Sequence, residues 1–143
     1  MIEKLNNENK SSFEKLYEKA VADNEFADIE FVDREKQIFL YKEGKKYVAF
    51  IICAIRKDPV LGCGSANVGY IEALFVQRKY RDEGKEIELI NAFEDWAREH
   101  NCYELAGDIS IKNKKNLEFY EQSGFDQIGT NIHFRKRVKS MNL

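Results

Sequence analysis

A strand pattern followed directly by an amphipathic helix pattern, between Val68 and His100, constrains the fold of this chain most. Val68 to Val76 is almost entirely apolar and predicts a buried central strand. Glu86 to His100 repeats apolar residues at helical spacing and predicts a helix that packs on a sheet. The charged turn between them contains Gly84, where free backbone N–H groups and the positive end of the helix dipole converge. This turn is therefore a candidate anion site.

Further strand and helix patterns on both sides predict a mixed α/β fold. The other predicted strands are Ile2 to Leu5, Gln37 to Tyr41, Lys46 to Arg56, Tyr103 to Ile109, Phe125 to Ile128 and Ile132 to Val138. The other predicted helices begin at Ser11 or Ser12, lie within residues 23–35, and run from Asn113 to Gln122. This order predicts a mixed, mostly antiparallel central sheet flanked by helices on both faces, in one domain of residues 1–143.

Net charge, apolar runs and cysteine spacing argue against several classes of function. The chain has 143 residues and a formal net charge of -2, which argues against nucleic acid as the main partner. The sequence has neither an N-terminal apolar region nor an apolar run of about 18 residues, so we expect neither secretion nor membrane spanning. Cys53, Cys63 and Cys102 show no C-x-x-C spacing. This pattern favours reduced thiols in a cytoplasmic protein, with no disulfide and no metal site.

The turn after the central strand resembles the pyrophosphate loop of the GNAT acyl-CoA N-acetyltransferases. That loop reads Q/R-x-x-G-x-G/A, and its first Arg and central Gly match Arg81 and Gly84. Asp82 stands where a Gly often follows the Arg, and Glu86 replaces the final small residue. The resemblance implies that acetyl-CoA is the co-substrate. The residues that it places against acetyl-CoA are the turn residues Arg81, Asp82, Glu83, Gly84, Lys85 and Glu86, the strand residues Leu74, Phe75 and Val76, and Asn116.

Four other stretches are similar to the aminoglycoside 6'-N-acetyltransferases within that superfamily. Ile55 to Gly62 is similar to I/L-R-x-D-Y-V-x-G, with Pro59 in place of the tyrosine, and Gly69 to Val76 is similar to L-E-G-x-[YF]-V. Cys102 to Asp108 is similar to C-x-E-M/L-A-S-D, and the terminal F-R-K-R begins at Phe134. Related enzymes pair or exchange C-terminal strands between subunits, so the resemblance also implies a homodimer.

Glu72 and Asp108 are the candidate residues for the amine site. Glu72 is a carboxylate within an apolar strand, where an unpaired charge is costly. The resemblance implies that both carboxylates face an amino-sugar substrate, where they would attract a polycation and bind the ammonium that must lose its proton. Two alternatives stay open. One is that Glu72 pairs with Arg56 or Lys57 across the sheet, and the other is that Asp108 caps the loop before Ile111.

Tyr120 is the candidate proton donor for the departing thiolate. The stretch from Asn116 to Phe125 resembles the superfamily signature N-x-x-A-x-x-F-Y-x-x-x-G-F at its Phe-Tyr and Gly-Phe ends, and that tyrosine lies beside the CoA sulfur. The alternative is that Tyr120 only packs beneath the sheet. Gly124 is the expected cap of this helix in either case.

The leading hypothesis is an acetyl-CoA-dependent N-acetyltransferase that acts on a primary amine of a small cationic substrate of the aminoglycoside class. Glu86 places a negative charge where a phosphate should approach, which predicts weakened rather than abolished CoA binding. The same residue is favourable in the first turn of a helix. The alternatives are therefore a non-catalytic protein of this fold and an acetyltransferase for peptide or polyamine amines.

Overall fold

The computed structural model describes residues 1–23, 34–108, 114–132 and 134–139. The strands are β1 (Ile2–Lys4), β2 (Lys36–Glu43), β3 (Lys46–Arg56), β4 (Val68–Val76) and β5 (Leu105–Gly107). The helices are α1 (Lys10–Ala22), α2 (Lys85–Glu99) and α3 (Lys114–Gln122), and a short 3-10 turn covers Arg78–Tyr80. Within these residues, no helix combines the length and the apolar character needed to cross a membrane.

The five strands form one sheet in the order β1-β2-β3-β4-β5. The first three pairings are antiparallel, and β4 pairs with β5 in parallel. The chain returns from β4 to β5 through α2, as a parallel pairing requires a crossover. The predicted mixed, mostly antiparallel sheet is confirmed.

The two faces of the sheet carry different helices. On one face, α1 contributes Leu16 and Ala20 to a cluster with Phe50 and Phe75, and the ring of Phe13 meets Phe50 edge-on at 5.2 Å. On the other face, α2 buries an apolar stripe against β3 and β4. Because each helix has one apolar face, each one needs the sheet to remove that face from water. Helices therefore cover both faces, as predicted.

Most predicted elements occur near their predicted bounds. β3 and β4 span the predicted residues, and α2 begins and ends one residue earlier than predicted. Gly124 has a φ of 92°, and the N–H of Phe125 bonds to the carbonyl of Tyr120 at 3.0 Å, so the expected glycine cap of α3 is confirmed. The helix predicted within residues 23–35 lies mainly outside the described residues.

The predicted terminal hairpin is wrong for the single chain. The described part of residues 123–139 contains no strand. Ile132, Phe134 and Val138 are 78%, 85% and 93% exposed, so their alternation does not place them on a sheet of this molecule. A strand requires a neighbouring strand that bonds to its backbone groups. The alternation of apolar residues in the sequence does not provide that neighbour. Ile128 instead lies over the loop at Gly62.

Candidate active site

A β-bulge in β4 places Glu72 at the centre of the site. Cys53 pairs with Ile71 while the preceding residue, Ile52, pairs with Ala73, so Glu72 is the extra residue of β4. A bulge bends its strand and redirects the side chain that it carries. The bulge therefore explains how a carboxylate occurs in an otherwise apolar central strand.

Beyond the bulge, no strand among the described residues pairs with one edge of β4, and we call this the open edge of β4. β5 pairs with β4 only from Gly69 to Ile71, whereas β3 continues to pair as far as Val76. The N–H of Gln77 bonds to the carbonyl of Val48 at 3.0 Å. Because backbone groups alternate in direction along a strand, Leu74 and Val76 direct their N–H groups away from β3. An extended ligand could pair with this edge as an added strand does.

The turn between β4 and α2 keeps the backbone shape of a glycine-rich loop. Asp82 has a φ of 64° and Gly84 a φ of 83°, both in the left-handed region. Aspartate is one of the few residues besides glycine that adopt this region readily, so Asp82 can stand where the related loops have glycine. Gly84 is the N-cap of α2, and no side chain caps the helix there. A Cβ at Gly84 would have no atom within 4 Å, so the space at the turn is open.

Two basic side chains of the turn, Lys85 and Arg81, bond to other groups of the protein. The Lys85 side chain is 6% exposed, and its Nζ lies 2.9 Å from Glu83 Oε2 and 3.3 Å from Glu43 Oε2. Hydrogen bonding to Glu83 raises the pKa of Lys85, despite the opposing effect of burial. The Nε of Arg81 donates to the carbonyl of Val76 at 2.8 Å. Lys85 is therefore neutralised internally, which lowers the positive charge that the turn offers to a phosphate.

Glu72 is part of an ion-pair cluster with two arginines. Arg56 Nε and Nη2 lie 3.2 and 3.1 Å from the two carboxylate oxygens, a bidentate arrangement. Arg34 Nη1 lies 3.8 Å from the Oε1 atom, and the Glu72 side chain is 9% exposed. The pairing of Glu72 with Arg56, left open as an alternative, is thus present, and a cationic substrate would compete with it.

Asp108 is connected to the same cluster through Tyr70. The Tyr70 hydroxyl donates a hydrogen bond to Asp108 Oδ2, and the guanidinium carbon of Arg56 lies 3.4 Å from the Tyr70 ring centroid. Burial, followed by the bond to Asp108, raises the pKa of Tyr70. Asp108 itself is exposed at the end of β5. The structure thus connects Glu72 and Asp108 through Arg56 and Tyr70, with the more accessible carboxylate at Asp108.

Tyr120 lies on α3, half-buried against the core cluster that the sheet and α2 form. Its ring contacts Phe119 and Phe125 at centroid distances of 5.5 and 5.3 Å. Burial raises the pKa of Tyr120, so the hydroxyl keeps its proton at neutral pH. Asn116 lies exposed one turn earlier on the same helix.

Sequence reasoning missed three residues of this region. Arg34 precedes β2, and no sequence signal connects it with Glu72. Tyr70 lies two residues before Glu72 in the strand pattern. Residues at this spacing in a strand face the same side of the sheet, so the spacing could have indicated Tyr70. Glu104 accepts hydrogen bonds from the N–H groups of Gly64 and Ser65 at 3.0 and 2.7 Å, which fixes the loop before β4. Within the described ranges, no three His, Cys, Asp or Glu residues are arranged to hold a metal ion.

Known proteins are similar to this chain in sequence and in fold. An aminoglycoside N(6')-acetyltransferase type 1 from Serratia marcescens is 32% identical over 92 residues, which are 64% of this chain and 63% of that protein. The match thus spans less than two thirds of the relative. An aminoglycoside N-acetyltransferase, AAC(6')-Iy, solved in complex with CoA, has a TM-score of 0.82 at 28% identity and covers 96% of this chain and 100% of its own.

The same enzyme in complex with the bisubstrate analogue CoA-S-monomethyl-acetylneamine has a TM-score of 0.82 at 26% identity, covering 96% of this chain and 98% of its own. The model of the acetyltransferase (GNAT) family matches residues 2–125. That match includes the bulged strand, the turn, α2 and α3. The chain therefore belongs to the acetyltransferase (GNAT) family.

Proposed function

We propose that this protein transfers an acetyl group from acetyl-CoA to a primary amine of a small cationic substrate of the aminoglycoside class. The observation that carries the proposal is the open edge of β4 beside the turn at Gly84. The edge offers backbone groups to an extended ligand, and the turn offers helix N–H groups to an anion. Acetyl-CoA has both parts, a pantetheine arm and a pyrophosphate.

The residues at this edge fit the two parts of acetyl-CoA. One of the N–H groups of Leu74 and Val76 would bond to pantetheine, and the other would stabilise the oxyanion of the thioester during attack, with Phe75 buried between them. The turn from Arg81 to Glu86 would bind the pyrophosphate through its backbone. Lys85 would contribute by holding the turn against Glu43 rather than by direct contact.

The acceptor side would use the cluster at Glu72 and Asp108. Asp108, exposed and held by Tyr70, would bind the substrate ammonium, and Glu72 would fix the position of Arg56 against the Tyr70 ring. Asp108, directly or through water, would accept one proton of the ammonium. The amine nitrogen would then attack the thioester carbonyl, the carbon–sulfur bond would break, and Tyr120 would give its proton to the thiolate. The second proton, which the nitrogen loses as the amide forms, would restore the Tyr120 hydroxyl.

A non-catalytic binding protein is the second candidate. Its support is the turn itself, since Lys85 pairs with Glu83 and Glu43, and Glu86 adds a carboxylate to the first turn of α2. Both features reduce the attraction for a pyrophosphate. The backbone shape at Asp82 and Gly84 is retained, and for this reason we favour the enzyme.

The test is calorimetry with CoA, followed by a thiol-release assay with acetyl-CoA and three classes of acceptor. We expect saturable CoA binding, and release of CoA with an aminoglycoside that carries a 6'-amine. Activity with spermidine or a peptide amine, and none with the aminoglycoside, would support the other acceptor classes. Absence of CoA binding would favour the non-catalytic protein.

The proposal extends to assembly and location. The exposed apolar residues of the C-terminal segment, Ile132, Phe134 and Val138, support a homodimer in which a second chain provides the missing strand partner. Free cysteines at Cys53, Cys63 and Cys102 fit a cytoplasmic location. Acetylation of aminoglycosides would make the protein an antibiotic-resistance enzyme.

A further inference from the structure

A second candidate site lies on the α1 face of the sheet, at the end where β4 finishes. It is a cleft of about 420 Å³ between α1, the turn joining β2 and β3, and the segment after β4. Five lysines line it, and we call it the lysine cleft: Lys15, Lys19, Lys45, Lys46 and Lys79. Such a concentration of one charge is unexpected in a chain whose net charge is -2.

The lysines of this cleft are not neutralised by the described part of the protein. No carboxylate among the described residues lies within 4.0 Å of any of the five ammonium groups. Two carboxylates of the neighbouring strands are engaged elsewhere, Glu43 with Lys85 at 3.3 Å and Glu3 with Lys42 at 3.8 Å. Lys79 Nζ also lies 5.7 Å from the centroid of the Tyr80 ring, a contact that leaves its charge in place. Five like charges around one cleft repel one another, and an anionic ligand would reduce that repulsion.

The remaining lining gives the cleft a fixed shape. Leu16 is buried at its floor, and the rings of Tyr47 and Tyr80 are half-buried. The Tyr47 hydroxyl donates to Glu3 Oε1 at 2.7 Å, and the N–H of Tyr80 donates to the carbonyl of Gln77 at 2.9 Å. The volume lies within the range of small-molecule sites, and the exposed lysine side chains surround the buried Leu16.

We propose that the lysine cleft binds a compact anion bearing several phosphate charges. Lysine provides point charges that suit phosphate oxygens in varied orientations. The phosphates could come from a free polyphosphate or nucleotide, or from the 3'-phosphate end of CoA, because Lys79 lies two residues before the turn that begins at Arg81. The second source rests on the proposed function, whereas the first does not.

The experiment measures binding of tripolyphosphate, CoA and 3'-dephospho-CoA by calorimetry at low salt. The variants are Lys15→Gln/Lys19→Gln on α1 and Lys45→Gln/Lys46→Gln on the hairpin turn. The matched control, Lys4→Gln/Lys10→Gln, removes the same charge at exposed positions outside the cleft. All six positions are exposed, so the fold should be retained, and circular dichroism checks this.

We expect each cleft variant to weaken tripolyphosphate binding at least about fivefold, with a change below about twofold in the control. Raised salt should weaken wild-type binding further. If CoA weakens in parallel while 3'-dephospho-CoA does not, the 3'-phosphate of CoA is the occupant. If CoA is unaffected, the occupant is a separate polyanion.

The proposal is overturned if tripolyphosphate fails to bind the wild-type protein, or if the cleft variants bind it as the control does. Tripolyphosphate binding that depends on the cleft, in a protein that does not bind CoA, would refute the proposed enzymatic function and leave the lysine cleft intact.

Discussion

Arg56 and Glu72 form a bidentate ion pair across β3 and β4, and the bulge in β4 leaves Glu72 without a strand partner. The guanidinium also stacks on Tyr70, whose hydroxyl binds Asp108. One arginine therefore links both candidate acceptor carboxylates. A substrate ammonium must compete with Arg56 for Glu72 but reaches Asp108 from solvent, so the two carboxylates should respond differently to mutation.

Glu72→Gln should lower stability, because it leaves Arg56 and Arg34 beside a neutral side chain in a largely buried position. We expect a loss of about 1–3 kcal/mol in the free energy of unfolding, measured with urea. Asp108→Asn, at an exposed position, should cost less stability and raise the KM for a polycationic substrate. If Glu72→Gln changes only KM and leaves stability intact, the carboxylate serves the substrate and not the ion pair.

Tyr120→Phe should lower turnover by about 10²-fold and leave the Kd for CoA near the wild-type value, because it removes the proton donor and keeps the ring. Burial raises the Tyr120 pKa above its ordinary value of 10.0, so the loss of its proton should produce no alkaline decline in turnover below that pH. Tyr103→Phe is the matched control, since Tyr103 is 80% exposed. Full turnover in Tyr120→Phe would assign the proton to another group or to water.

Lys85→Met should destabilise the protein and change how its stability depends on pH. The pKa of Lys85 is raised in the folded state by Glu83, so its charged form stabilises the fold fully below the unfolded pKa. That contribution is lost as pH rises through the folded pKa. Urea unfolding between about pH 10 and pH 12 should show this decline in the wild type, but neither in Lys85→Met nor in Lys85→Arg, whose guanidinium stays charged in this range. Parallel curves for all three proteins would refute the role of the ion pair.

Glu86→Ala should tighten CoA binding by roughly threefold to tenfold, because a half-exposed carboxylate near the pyrophosphate is partly screened by water. The same change should cost about 0.3–1 kcal/mol of stability, since Glu86 lies in the first turn of α2. Glu94→Ala is the matched control, because it removes the same charge from α2 two turns away from the pyrophosphate turn. Calorimetry that gives an unchanged or weaker Kd for Glu86→Ala would show that this carboxylate does not limit binding.

The proposed homodimer predicts about twice the chain mass by light scattering at micromolar concentration. Phe134→Asp should shift the protein to a monomer, because Phe134 is 85% exposed in the single chain and its burial would need a second subunit. Tyr103→Phe should remain dimeric. An active wild-type monomer at this concentration would exclude the proposed dimer.

Local patterns in the sequence were sufficient to predict most of the fold. Val68–Val76 and the apolar stripe of α2 follow from the periodic spacing of apolar residues, which determines the buried face whatever the partner is. The positive φ at Gly84 and the cap at Gly124 follow from residue type, because glycine lacks the Cβ that opposes these conformations.

Tertiary structure alone decided the bulge at Glu72, the inward ion pairs of Lys85, the open edge of β4 and the loss of the predicted terminal hairpin. Each depends on which segment lies beside which, and contacts between residues distant in sequence leave no local periodic signal. Lys85 has the sequence context of a phosphate ligand, yet Glu43, 42 residues earlier, lies close enough to pair with it. The terminal segment has the alternation of a strand, but no strand in the described part of the chain pairs with it.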